Sequence, residues 1–255
     1  MLGAALALAA ALALVAPPAA AGEPDDGADR APAEPGRLTA RPQPPDRDGD
    51  APAGTRPLGL GQDRDGLVHV PPTYRPDRPA PLLVILHGAG GDARQVLPMA
   101  RPAADDLGIL VVAPESRGRT WDVIRGGYGP DVRFLDRALA AVFARYSVDP
   151  ARVAIAGFSD GASYALSLGL ANGDLFGRVL AFSPGFVAAG PRHGRPRVFV
   201  SHGVRDEVLP IDDTSRDLVP GLRRDGYEVE YREFDGGHVV PPGIAREAIG
   251  RVAEG

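Results

Sequence analysis

The chain predicts an α/β domain: a mostly parallel sheet with helices on both faces. Three observations lead there. From residue 58 onward, short apolar and β-branched runs alternate with stretches of helical spacing, the pattern that strands and crossover helices leave in a sequence. Several runs, such as 82–87 (LLVILH) and 109–113 (ILVVA), carry no polar alternation, as expected of strands covered on both faces. Polar residues and glycines gather directly after the runs, where open α/β sheets bind their ligands.

Taken in order, the strands are expected at 66–70, 82–87, 109–113, 152–156, 178–182, 197–201 and 228–234. Amphipathic stretches at 131–146, 162–171, 213–225 and 244–253 are expected to be helices. Residues 93–107 also have helical spacing, but Pro98 and Pro102 each remove a backbone donor, so a broken helix is expected there. No internal repeat is present. The domain is expected to cover 58–255.

The first 57 residues have a different texture. Residues 1–21 are apolar and uncharged, with an h-region from Ala4 to Val15, a Pro17-Pro18 break and small residues at 19–21. That layout predicts a secretory signal, and so a secreted or periplasmic protein. No Arg or Lys precedes the h-region, which leaves an uncleaved membrane anchor as the other reading. Residues 22–57 are rich in Pro, Asp, Gly, Ala and Arg and are expected to form a disordered linker, because they offer little apolar surface to bury.

Composition excludes several chemistries. The chain has no cysteine, and its basic residues are all arginine. Thiolate nucleophiles, disulfides, Schiff-base lysines and P-loop lysines are therefore absent. The formal net charge is −5 with no basic cluster, so no nucleic-acid partner is expected. The five histidines lack metal-ligand spacing, and no metal is expected.

One stretch carries chemistry. Gly157-Phe158-Ser159-Asp160-Gly161 stands between the 152–156 run and the helical stretch that follows. A G-x-S-x-G turn in strand-to-helix context is a nucleophile elbow, which lifts the serine hydroxyl above the sheet. The serine then sits at a helix N-terminus, where backbone N–H groups favour developing negative charge.

A serine needs a base, and in this arrangement an acid and then a histidine follow it along the chain. Three histidines follow Ser159, namely His193, His202 and His238. Only His238 closes the last strand run, preceded by Gly236-Gly237. Asp206, in the loop after the penultimate run, is the expected acid that fixes the imidazole tautomer. Glu207, Asp212 and Asp213 are its rivals, the last two being expected to cap the next helix. Backbone N–H groups of Asp160 and Ala89 are the expected oxyanion donors, Ala89 lying in His87-Gly88-Ala89-Gly90-Gly91. Gly88 and Gly90 let the backbone approach substrate there, and Trp121 and Tyr128 are candidates to line the pocket. His87 and His202 are expected to hold loops at strand ends.

These four motifs, HGAGG at 87–91, GFSDG at 157–161, His202-Gly203 through Asp206, and Gly236-Gly237-His238, resemble those of the α/β-hydrolase superfamily. Within it the chain looks like bacterial phospholipase/carboxylesterases and polyhydroxyalkanoate depolymerase-like esterases, over about residues 58–252. The resemblance implies a serine esterase with no cofactor and no metal, a triad on Ser159, Asp206 and His238, and an oxyanion hole on Ala89 and Asp160. Asp160 departs from the Gln or Ala that many such relatives carry beside the nucleophile, and its carboxylate is expected to disfavour anionic acyl groups.

Only residues 183–196 separate the sixth and seventh strand runs, which leaves no room for a large lid domain. An open site suits esters of short or medium acyl chains, so a small-molecule ester is the expected substrate. Two other classes stay open: a serine peptidase or acyltransferase with the same triad, and a non-catalytic binding protein on this fold.

Overall fold

The computed structural model describes residues 34–45, 52–61 and 64–254. The expected signal or anchor at 1–21 lies outside them. The described residues belong to one unit, Pro32–Gly255. Among them, no helix is long and apolar enough to cross a membrane.

Eight strands make one sheet: β1 Gly54–Pro57, β2 Gly66–Val70, β3 Ala80–Leu86, β4 Leu110–Pro114, β5 Val148–Phe158, β6 Arg178–Phe182, β7 Arg197–Gly203 and β8 Val229–Phe234. They lie in the order β1-β2-β4-β3-β5-β6-β7-β8. β1 and β2 are antiparallel to their neighbours, and the other six run parallel. Five helices cover it: α1 Ala93–Leu107, α2 Pro130–Arg145, α3 Asp160–Ala171, α4 Ser215–Arg224 and α5 Pro242–Ala253.

The strand period of two divides the core into two layers. On β3, Leu82, Val84 and Leu86 join the cluster that contains residues of α2, α3 and α4, while Leu83 and Ile85 join the one under α1 and α5. All seven residues of β3 are buried, which accounts for the missing polar alternation.

Helix α1 is continuous through both prolines, contrary to the expected break. Pro98 and Pro102 are one helical turn apart on the exposed face, so carbonyls deprived of a partner there can turn to water. Its buried face, Ala93, Val96, Leu97, Ala100, Ala103 and Ala104, keeps the spacing of an unbroken helix. The start is fixed by Asp92, whose carboxylate accepts the Gln95 N–H at 2.9 Å.

The linker expected at 22–57 is corrected in part. Residues 54–57 form strand β1, and residues 34–45 lie against the domain. Leu38 is buried in the core, and its N–H donates to Asn172 at the end of α3 at 2.9 Å. Asn172 in turn donates to Gly36 O at 2.7 Å. Arg37 forms a two-pronged pair with Asp174, at 2.8 and 3.0 Å. That pair, strengthened by Arg41, holds the Asp174 carboxyl well below the usual carboxylate range. Asp136 on α2 accepts the Thr39 and Ala40 N–H groups at 2.7 and 2.8 Å. One buried leucine and a set of specific polar partners order a segment whose average composition argues for disorder.

Candidate active site

Ser159 follows the last residue of β5 and precedes the first residue of α3. Its φ of 58° and ψ of −123° are strained for a residue with a side chain. The two elbow glycines make this turn possible. A Cβ on Gly157 would lie 2.1 Å from Gly161 O, and one on Gly161 would lie 2.4 Å from Leu86 O. No other residue fits at either position.

His238, in the loop after β8, lies 2.9 Å from Ser159 Oγ through Nε2 and 2.6 Å from Asp206 Oδ2 through Nδ1. An ionised carboxylate only accepts, so Nδ1 carries the proton and Nε2 is free to accept from the serine hydroxyl. Asp206 is 5% exposed. Burial alone would raise its pKa, but the Leu209, His238 and Val208 donors outweigh that and hold it below the ordinary value. The structure thus brings together the three side chains that the sequence singled out. Such a line of groups can draw a proton from a hydroxyl and hold the resulting imidazolium.

The 88–91 loop packs on the elbow. A Cβ on Gly88 would come within 3.3 Å of Ser159 Cβ, so the loop backbone passes beside the serine. Gly90 N–H donates to Arg119 O at 2.6 Å, which ties this loop to the segment after β4. Ala89 is exposed at its tip, and Asp160 opens helix α3, whose first N–H groups have no acceptor within the helix. The Asp160 carboxylate accepts from Thr120 Oγ1 at 2.5 Å, which draws it toward that same segment.

His87 is buried beneath the loop. Its Nδ1 lies 2.7 Å from Gly88 O and its Nε2 accepts the Ser116 N–H at 3.1 Å, so both ring nitrogens are committed to loop backbone. Burial lowers its pKa and keeps it neutral. His202, near the end of β7, is likewise enclosed, bonded to Leu209 O in the loop that follows and to Ser215 on α4.

Three expectations need correction. Trp121 does not face a pocket: it is 0% exposed, stacked on Tyr164 with ring centroids 5.0 Å apart, and its indole N–H donates to His87 O at 2.8 Å. It supports the 88–91 loop from below. Tyr128 packs against Gly36 and Tyr164, and burial pushes its hydroxyl up to about 12. Its ring is held in the layer under the 34–45 segment. Asp212 and Asp213 do not cap α4, whose N-cap is Thr214; Asp212 pairs with Arg216 at 2.8 Å instead.

A cleft of about 270 Å³ opens next to the serine, lined by Gly88, Ala89, Gln95, Val96, Met99 and Phe158 among others. Gln95, Val96 and Met99 were not singled out in the sequence. Met99 lies one helical turn from both Gln95 (i+4) and Val96 (i+3), a spacing that could have pointed to them, since the helix expected at 93–107 begins just after the 88–91 loop. Phe158, the variable residue before the serine, also packs on His238 at 4.7 Å between ring centroids.

The parallel sheet, the elbow after its central strand and the loops that follow β3, β7 and β8 together define an α/β-hydrolase fold. The model of the Esterase family ("Putative esterase") matches residues 59–217, and the chain belongs to that family, one of carboxylesterase-type hydrolases. It is 28% identical over 172 residues to feruloyl esterase C of Emericella nidulans, covering 64% of this chain and 63% of that protein. The chain thus spans about six tenths of the length of the curated relatives it first matches. Among solved structures, esterase PE8 superposes with a TM-score of 0.60 at 25% identity, covering 74% of this chain and 97% of that one. A ferulic acid esterase from Anaeromyces mucronatus, in complex with ferulic acid, shares the fold with a TM-score of 0.56 at 17% identity, covering 84% and 98%.

Proposed function

We propose that the protein is a serine ester hydrolase that works through an acyl-enzyme. The observation that carries this reading is the hydrogen-bond line from Ser159 Oγ to His238, 2.9 Å, and from His238 to Asp206, 2.6 Å, beside an apolar cleft. Ser159 Oγ attacks the ester carbonyl carbon while His238 Nε2 takes the hydroxyl proton. Asp206 holds the ring and stabilises the imidazolium. The N–H groups of Asp160 and Ala89 receive the oxyanion, each donor contributing about 100- to 1,000-fold.

The tetrahedral intermediate collapses, the C–O bond to the alcohol breaks, and His238 returns the proton to that alcohol. Water, deprotonated by the same ring, then attacks the acyl-serine, and the carboxylic acid leaves with Ser159 restored. No resident cofactor or metal enters these steps.

The acyl group lies in the cleft formed by Phe158, Val96 and Met99. Its modest volume favours short or medium acyl chains, and the relatives named for feruloyl esters put aromatic acyl groups within the range to be tested. The N-terminal layout of residues 1–21 supports export, with action on esters outside the cytoplasm.

The test is hydrolysis of a p-nitrophenyl ester ladder from acetate to palmitate, together with a feruloyl ester, by the wild type and Ser159→Ala. Cleavage limited to short or compact acyl groups and lost in the variant is the expected result. A wild type inert toward every ester would return the non-catalytic binding reading to the front.

A further inference from the structure

Asp206 has a second histidine neighbour. His202 Nε2 lies 3.2 Å from Asp206 Oδ2, the same oxygen that receives His238, and 2.8 Å from Leu209 O. Both are acceptors, so Nε2 carries the proton, given first to Leu209 O at the shorter distance with Asp206 Oδ2 as the second, longer acceptor. Its Nδ1 then accepts from Ser215 Oγ at 2.7 Å. His202 and Ser215 are both 0% exposed. Every hydrogen-bonding atom of the ring is therefore used: the acceptors at Nε2 fix the tautomer, and the Ser215 hydroxyl on α4 complements it. The other carboxylate oxygen, Oδ1, accepts the N–H groups of Val208 and Leu209, both at 2.9 Å.

Resting on the hydrolase reading above, we infer that His202 is a positioning residue for the reaction. Its neutral ring donates to Asp206 Oδ2, fixes the carboxylate in the plane that meets His238, and competes with His238 for the negative charge on that oxygen.

The charged and titratable groups around His202 leave this role intact. Asp206 stands on the loop after β7 and His238 on the loop after β8. Glu233, its register partner on β8, is engaged by Arg216 at 2.7 and 2.9 Å. Burial lowers the pKa of His202 and keeps the ring neutral. A second cation beside Asp206 would weaken the pull of that carboxylate on the catalytic imidazolium, whereas a neutral donor steadies the carboxylate without cancelling its charge.

Two variants of the full chain test this. In His202→Leu the donor is gone. Asp206 then has more charge to offer His238, so the His238 Nδ1 proton resonance moves downfield and the acid limb of kcat/KM moves to higher pH. The looser carboxylate lowers kcat about tenfold or more, with KM little changed. His202→Gln, whose amide N–H can replace Nε2–H, restores the wild-type resonance and most of kcat.

The inference is overturned if the Leu variant, folded as judged by its thermal midpoint, keeps the wild-type resonance and acid limb. It is overturned equally if the Gln variant loses as much as the Leu variant. Should Leu fail to fold, the Gln variant decides alone, a shifted resonance counting against. The resonance is read without turnover. A wild type inert toward esters and unlabelled by a serine-reactive phosphonate would sink the hydrolase reading, while the resonance comparison still decides what His202 does to Asp206.

Discussion

At the scale of single residues, the site is held by backbone constraint as much as by side-chain chemistry. Ser159 keeps a left-handed φ of 58° because β5 and α3 close on it from both sides, and the glycines at 157 and 161 permit that closure. Gly161→Ala would set a methyl 2.4 Å from Leu86 O, and the protein should fail to accumulate as a soluble folded chain, read by expression and circular dichroism. Ser159→Ala needs no such adjustment. It should fold normally and lose at least about 10,000-fold in kcat on a p-nitrophenyl ester. Asp206→Asn would present an amide to His238 Nδ1 and favour the wrong tautomer, with a kcat loss of about 10,000-fold and near-normal KM expected in steady-state kinetics.

At the scale of elements, two features act at a distance from the serine. The first is the 34–45 segment, which grips the middle of α2 through Thr39 and the end of α3 through Arg37 and Leu38. Leu38→Ala should cost about 2–5 kcal/mol in denaturant unfolding, by the usual penalty for emptying a buried leucine site. It should leave KM unchanged, because the grip is on the end of α3 away from Ser159.

The second is the loop between β4 and α2, braced by Asp131. This carboxyl, 1% exposed, accepts the Arg117 and Asp122 N–H groups at 2.5 and 2.7 Å, and burial raises its pKa to about 6. A raised carboxyl binds its proton more tightly folded than unfolded. Stability from this group is therefore full below about pH 4 and declines as pH rises to about 6, by roughly 2–3 kcal/mol. Unfolding free energies at pH 4.5 and 7 should show a shallower decline in Asp131→Asn than in the wild type. Asp206 has the opposite sign: its lowered pKa adds stability above the ordinary carboxylate value, lost as pH falls through the folded one.

At the scale of the molecule, the parallel direction of β3, β5, β7 and β8 sends the loops after them to one end of the sheet, where Ser159, His238, Asp206 and the 88–91 loop meet. That convergence was legible in the sequence, because Ser159, Asp206 and His238 each fall within a few residues of the end of a strand run and glycines mark the turns. The 34–45 segment was not: a lone leucine in a Pro- and Arg-rich stretch gives no periodicity, and its partners Asn172 and Asp174 lie far along the chain. Trp121 and Tyr128 misled because an aromatic residue in a loop gives no sign of which way its ring packs.

Of the five large apolar side chains exposed among the described residues, Phe186, Val204, Val208 and Val239 lie on the loops after β6, β7 and β8.

A serine ester hydrolase of this design requires Ser159 to be a nucleophile activated by His238. The most direct measurement is intact-mass and peptide analysis after treatment with a serine-reactive phosphonate. One adduct per chain, located on Ser159 and absent from Ser159→Ala, is the predicted result. No adduct, or one on another serine such as Ser163 or Ser183, would contradict it.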